Sequence, residues 1–154
     1  MADRTIFDEI VDGNIPSYKV WEDENYLAFL TPFGNTPGQT VVVPKQNPGE
    51  YVFAVDPQVV TGIMAAAKKA AGILEKALGV SRVAVVFEGE AVPHLHVKLY
   101  PMHDFNGDRS KFPQLSAFFP VYPGYILTAE GKHMSEDELK AIHQKIQEVQ
   151  SHEG

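Results

Sequence analysis

A chain of 154 residues is the size of one domain and long enough to close a hydrophobic core. Its net charge of −7, with 44% hydrophobic and 21% charged residues, is ordinary for a globular protein. That balance argues against a general nucleic-acid binder, which presents a basic face to phosphates.

No apolar run approaches the roughly 20 residues that span a bilayer. The start, Met1-Ala2-Asp3-Arg4-Thr5, is polar and unlike a signal peptide. With no cysteine there is neither a disulfide framework nor a thiolate zinc site. The expectation is a cytoplasmic protein that meets no membrane. An acidic surface still leaves room for a cationic pocket that takes a small phosphorylated ligand.

Ile6, Phe7, Ile10 and Val11 form a helical stripe over Asp3 to Val11, and Gly13 is its stop. Tyr18 to Trp21 and Tyr26 to Leu30 are β-rich runs around Glu22-Asp23-Glu24-Asn25, the pattern of a hairpin. A Pro/Gly-rich stretch from Pro32 to Gly38 leads into a buried strand, Gln39 to Val43, ended by Pro44.

The longest helix follows, with Asp56 as N-cap, Pro57 in its first turn and Gly79 as its stop. Val60, Ile63, Met64, Ala67, Ala71, Leu74 and Leu78 recur at three- and four-residue steps, so core packing accounts for Met64. Val83 to Phe87 is an apolar strand, and His94 to Tyr100 is the next, stopped by Pro101. Short hairpin-compatible connections favour an antiparallel sheet with helices packed outside it, an α+β domain.

Beyond Pro101 the chain changes character. Asp104 to Lys111 reads as a loop, Phe112 to Tyr125 is rich in aromatics and prolines, and Tyr125 to Ala129 has strand composition. Ser135 with Glu138 makes a capping box for a last helix to about Val149, with Leu139, Ile142, Ile146 and Val149 on its apolar face. This predicts a main domain over 1–103. An extension over 104–154 (loop, short strand, helix) packs on that domain or on a second subunit.

The chemistry concentrates in Pro93-His94-Leu95-His96-Val97-Lys98-Leu99-Tyr100-Pro101. Strand alternation sends Leu95, Val97 and Leu99 to one face and lines up His94, His96 and Lys98 on the other, about 7 Å apart. Such alternation is also what the solvent face of any half-exposed strand shows. Two histidines at this spacing suit zinc, but Lys98 beside His96 repels a cation. A third reading, beside the solvent face and the metal, is phosphoryl chemistry. A neutral imidazole attacks phosphorus, an acceptor on its far nitrogen fixes the tautomer, and adjacent cations steady the non-bridging oxygens.

Taken with three further blocks, this segment resembles the histidine triad (HIT) family, whose signature is His-x-His-x-His on the last sheet strand. The blocks run from Thr5-Ile6-Phe7 through Gly13 to Tyr18, from Tyr26 to Leu30, and from Pro37 to Lys45. Glu88-Gly89 and Val92-Pro93-His94-Leu95-His96 complete the likeness, which covers about residues 4 to 103. It implies a HIT-like fold: an antiparallel sheet of about five strands with flanking helices, here with a C-terminal helical extension. It also implies a homodimer and chemistry at the α-phosphate of a purine nucleotide or nucleotide conjugate. His96 takes the place of the nucleophile. The His94 carbonyl holds the far ring nitrogen while the His94 side chain supports the row, and Phe29, Leu30 and Thr31 border the nucleoside pocket.

The departures from that pattern bear on activity. Lys98 replaces the third triad histidine and keeps a positive charge without a proton switch near neutral pH. Gln39 replaces an upstream histidine, and with Lys98 it is expected to steady the phosphate. Thr31 replaces a ribose-binding acid, and Ala91 a small polar donor. Thr5 and Asp8 stand where some members carry zinc-binding cysteines, so no zinc is expected there.

The expected activity is hydrolysis or transfer of a nucleotidyl group from a phosphoramidate, adenylate or dinucleoside polyphosphate through nucleotidyl-His96. No metal cofactor is required, although a polyphosphate would arrive with magnesium. The alternative is a nucleotide-binding or interaction module whose catalysis has lapsed.

Overall fold

A computed structural model describes residues 4–105, 107–108, 120 and 133–152. Helix α1, Ile6–Val11, is opened by Thr5, which forms a capping box with Asp8. The Thr5 hydroxyl accepts the Asp8 N–H and the Asp8 carboxylate accepts the Thr5 N–H. Strands β1, Lys19–Glu22, and β2, Tyr26–Leu30, form the expected hairpin, with Asp23 accepting the N–H groups of Asn25 and Tyr26 at 2.9 and 2.8 Å. Strand β3 is Thr40–Pro44, buried at every position.

Helix α2, Pro57–Leu78, has Asp56 as N-cap and ends at Gly79 with φ of 65°, a left-handed turn that glycine adopts without a Cβ penalty. Strands β4, Val83–Glu88, and β5, His96–Pro101, follow, and helix α3, Glu136–Ser151, is capped by Ser135 and Glu138. The stretches Phe112 to Tyr125 and Tyr125 to Ala129 lie outside the described residues, apart from Pro120.

The sheet runs β1-β2-β3-β5-β4, and every neighbouring pair is antiparallel. Strand β5 is therefore inserted between β3 and β4, away from the sheet edge. One face carries Ala28, Leu30, Val42, Val97 and Leu99 against α2 and α3. Alanines 66, 67 and 70 on α2 let that helix approach closely, and Leu139, Ile142 and Ile146 of α3 pack into the same core. The other face carries Leu27, Phe29, Val41 and Val43 under Phe7 of the short α1. The short α1 covers only part of this second face, and among the described residues a cavity beside it holds the site.

Two expectations need correction. Met64 sits at the rim of α2 with 43% of its surface exposed, because the buried stripe turns through Ile63, Ala66, Ala67, Ala70, Ile73 and Leu74 instead. The second concerns the start of β5. The chain turns at His94, whose N–H meets the Val92 carbonyl at 2.7 Å, and Leu95 N–H bonds to Gly49 O at 2.8 Å, so regular pairing begins only at His96.

Candidate active site

Alternation along β5 places Val97 and Leu99 in the core under α2 and α3 and His96 and Lys98 on the opposite face, as the spacing predicts. His96 and Lys98 line a cavity of about 340 Å³ between the sheet, α1 and the start of α3. The Phe7 ring meets His96 edge-on at 5.0 Å. Nδ1 of His96 lies 2.8 Å from the His94 carbonyl oxygen. A carbonyl only accepts, so Nδ1 carries the proton and Nε2 keeps the lone pair.

His94 departs from the predicted row. Its ring does not line the cavity and turns beneath α1, because residue 94 precedes the regular strand. Nε2 donates to the Pro44 carbonyl at 2.9 Å, and Nδ1 lies 3.2 Å from the Thr5 hydroxyl and 3.8 Å from Asp8 Oδ1. The Thr5 hydroxyl is also 2.9 Å from Asp8 Oδ2, so its single proton serves one of these two acceptors at a time. His94 thus ties α1 to β3 with its side chain and fixes His96 with its carbonyl. Among the described residues no group of three or more His, Cys, Asp or Glu is arranged to hold a metal.

Burial pushes both imidazoles below the ordinary histidine value; for His96 the His94 carbonyl and the Glu88 carboxylate push back less strongly. His96 is therefore neutral near pH 7, the state a nucleophile needs. The same depression links stability to pH. The unfolded chain protonates its histidines near pH 6.5, roughly, before the folded chain does. The stability contributed by these two groups is complete above that pH and is lost as pH falls through their folded values. A urea midpoint series from about pH 7.5 to 5 is expected to decline, and a His94→Gln/His96→Asn variant to decline less. Parallel slopes would contradict this.

Phe29, Leu30, Thr31 and Ala91 line the cavity as expected. Gln39 does not. It is buried below the 34–36 loop, where its Oε1 accepts Asn35 N–H at 2.8 Å and its own N–H donates to Thr36 O at 3.2 Å, so it shapes the loop and is not in place to hold a phosphate. The far wall comes from residues that sequence reasoning passed over. The His133 ring meets Phe33 edge-on at 5.2 Å, Met134 N–H donates to Pro32 O at 2.7 Å, and the Tyr18 hydroxyl donates to Glu136. The capping box signalled that α3 begins at this point, but no local signal said where that beginning would rest.

Glu88 was the other omission. It stands directly opposite His96 in the β4–β5 ladder, and its Oε2 lies 2.8 Å from Lys98 Nζ. The contact is an ion pair whose geometry is not that of an aligned hydrogen bond, and both side chains are nearly buried, at 8% and 11% exposure. The loop that joins these strands is seated tightly. A Cβ on Gly89 would lie 2.0 Å from the Glu50 carbonyl oxygen, and Asn47 Nδ2 donates to Pro93 O at 3.1 Å.

A His-x-His that leads into an interior strand, with the second ring braced by the carbonyl of the first, is found together with a match of residues 12–105 to the HIT domain. The chain belongs to the HIT family. Members of this family are in general nucleotide hydrolases or transferases. The HIT chain is 32% identical over 115 residues to an uncharacterized HIT-like protein of Methanocaldococcus jannaschii, covering 71% of this chain and 88% of that one. It superposes on a HIT-like protein of Bartonella henselae with a TM-score of 0.68 at 21% identity, covering 97% and 98% of the two chains. A HIT family hydrolase of Legionella pneumophila matches at 28% identity with a TM-score of 0.53, over 63% of this chain and 91% of that one.

Proposed function

We propose that this HIT protein hydrolyses or transfers a nucleotidyl group, attacking the α-phosphorus of a nucleoside phosphoramidate, adenylate or dinucleoside polyphosphate with His96. The observation that carries the reading is the His96 ring, neutral near pH 7, with Nδ1–H bound to the His94 carbonyl and Nε2 left as the nucleophilic nitrogen. The nucleoside lies against Phe29, Leu30 and Thr31, and Lys98 faces the phosphoryl oxygens. Nearby backbone N–H groups assist. The chemistry runs without a metal, and magnesium enters only as part of a polyphosphate substrate.

Incubation with adenosine phosphoramidate and with diadenosine tetraphosphate is the test. Release of adenosine monophosphate that survives chelation of divalent cations supports the reading for the amidate. Nucleotide binding with turnover no faster than in a His96→Ala variant supports a binding module instead.

The assembly belongs to the same proposal. Among the described residues strand β4 is the last of the sheet, and Val85, 43% exposed, joins Met64 and Phe87 in an apolar groove of about 590 Å³ between β4 and α2. An apolar edge of this kind calls for a partner strand, and a second copy supplies one. Sedimentation is expected to give a species of about 34 kDa, twice 17.0 kDa. Val85→Glu is expected to shift it to the single mass. A wild-type species at the single mass would remove the dimer.

A further inference from the structure

Glu88, the ion-pair partner of Lys98, has no part in the steps described so far. A buried ion pair is costly to desolvate and is weak evidence of stability, so its placement beside the nucleophile asks for another reason. Glu88 reaches the site from β4 in register with His96, while Lys98 reaches it from β5, two residues beyond His96 on the same face. The three groups form a nearly buried cross-strand cluster of carboxylate, imidazole and ammonium on the face of the sheet under α1.

We infer that Glu88 is a positioning residue that holds the Lys98 ammonium and offsets its charge, so that His96 can accept the positive charge that nucleotidylation gives it. The inference rests on the reading of His96 as nucleophile. In the first step the Nε2 lone pair forms the N–P bond as the bond from phosphorus to the leaving group breaks. The leaving group departs with the bonding electron pair and, where it is an amine, takes a proton from solvent. The ring keeps its Nδ1–H on the His94 carbonyl and becomes a substituted imidazolium. Water then attacks phosphorus, loses its proton to solvent, and the N–P pair returns to Nε2.

During the life of the adduct a cation sits on His96 beside a second cation on Lys98. In a partly desolvated site that repulsion opposes the first step. The Glu88 carboxylate, 2.8 Å from Lys98 Nζ and opposite His96, leaves the cluster with one net positive charge in place of two. A lysine at the third position of the motif is thereby made compatible with a nucleophile that must turn cationic.

Other charged and titratable groups act on His96 less directly. His94, on its own segment, lowers its proton affinity, and Glu90, in the turn after β4, interacts with it. Asp8 of α1 reaches His94, and Tyr100 lies farther along β5. From α1 the Phe7 ring packs on His96 and adds no charge.

The experiment is a pH titration of the His96 imidazole by NMR in the substrate-free protein, paired with the rate of nucleotidylation from adenosine phosphoramidate. Glu88→Gln is expected to move the His96 titration to lower pH and to slow nucleotidylation by about tenfold, the effect of one nearby charge. Lys98→Met is expected to move the titration the opposite way, to higher pH. The double variant Glu88→Gln/Lys98→Met, which leaves neither charge unpaired, guards against loss of fold and is expected to fall between the two.

Opposite displacements would support the inference, since a purely structural pair would shift the titration in one sense or not at all. An unmoved titration in Glu88→Gln, or a shift upward, would overturn it. The titration needs no turnover, so it separates the two readings. An inactive wild type with opposite shifts would retire the nucleotidyl-transfer reading and keep the electrostatic coupling of Glu88 to His96. An active wild type with no shifts would do the reverse.

Discussion

His96→Ala is expected to lower kcat/KM for adenosine phosphoramidate by about 10⁴-fold or more, with binding of adenosine monophosphate changed far less. Several features of the site orient or support this ring. The His94 carbonyl fixes its tautomer, Phe7 packs on it, and β5 holds it between β3 and β4. Removing the ring deletes the atom that forms the bond to phosphorus, whereas truncating a supporting group leaves that atom in place. The substitution also strips the His94 carbonyl of its donor, at a cost of roughly 1–3 kcal/mol in stability. Circular dichroism is expected to report a folded variant, so that the kinetic loss reads as chemistry. A loss of tenfold or less would mean that phosphorus is attacked by something other than His96.

The second large effect falls on stability. Ile146 has no exposed surface and lies in the core shared by α3, α2 and the sheet. Ile146→Ala is expected to cost about 2–5 kcal/mol, since transfer and cavity terms add where neighbours cannot collapse. Thermal unfolding should stay a single transition with its midpoint lowered by roughly 5–15 °C, at about 2–4 °C per kcal/mol for a domain of this size. Because Glu136 and Leu139 at the start of α3 line the cavity, KM is expected to rise along with the loss of stability. A main transition that stays unmoved while α3 melts separately would show that the helix is an appendage and not part of the core.

Local signals gave most of the architecture. Asp56-Pro57 and Gly79 bracket α2, Ser135 and Glu138 open α3, and alternation assigns Val97 and Leu99 to one face and His96 and Lys98 to the other. What stayed hidden depends on pairing between distant segments. The partnership of Glu88 with Lys98 is set by strand register, and register is fixed only when β4 and β5 meet. The turned ring of His94 follows from where regular pairing begins, which Gly49 decides from another loop. Gln39 was expected to steady a phosphate because it stands where the family carries a histidine, yet it does not line the cavity and its Oε1 accepts the Asn35 N–H. The α3 contribution to the pocket had no sequence signal, since a capping box marks a helix start and not its address.

The central claim is that His96 forms a bond to phosphorus, and intact mass tests it most directly. Wild type and His96→Ala would each be mixed with adenosine phosphoramidate, quenched rapidly without acid, which would cleave an N–P bond, and weighed. An adenylyl adduct on the wild type alone is the predicted result. An unmodified wild type that nevertheless releases monophosphate, or an adduct retained in His96→Ala, would contradict it.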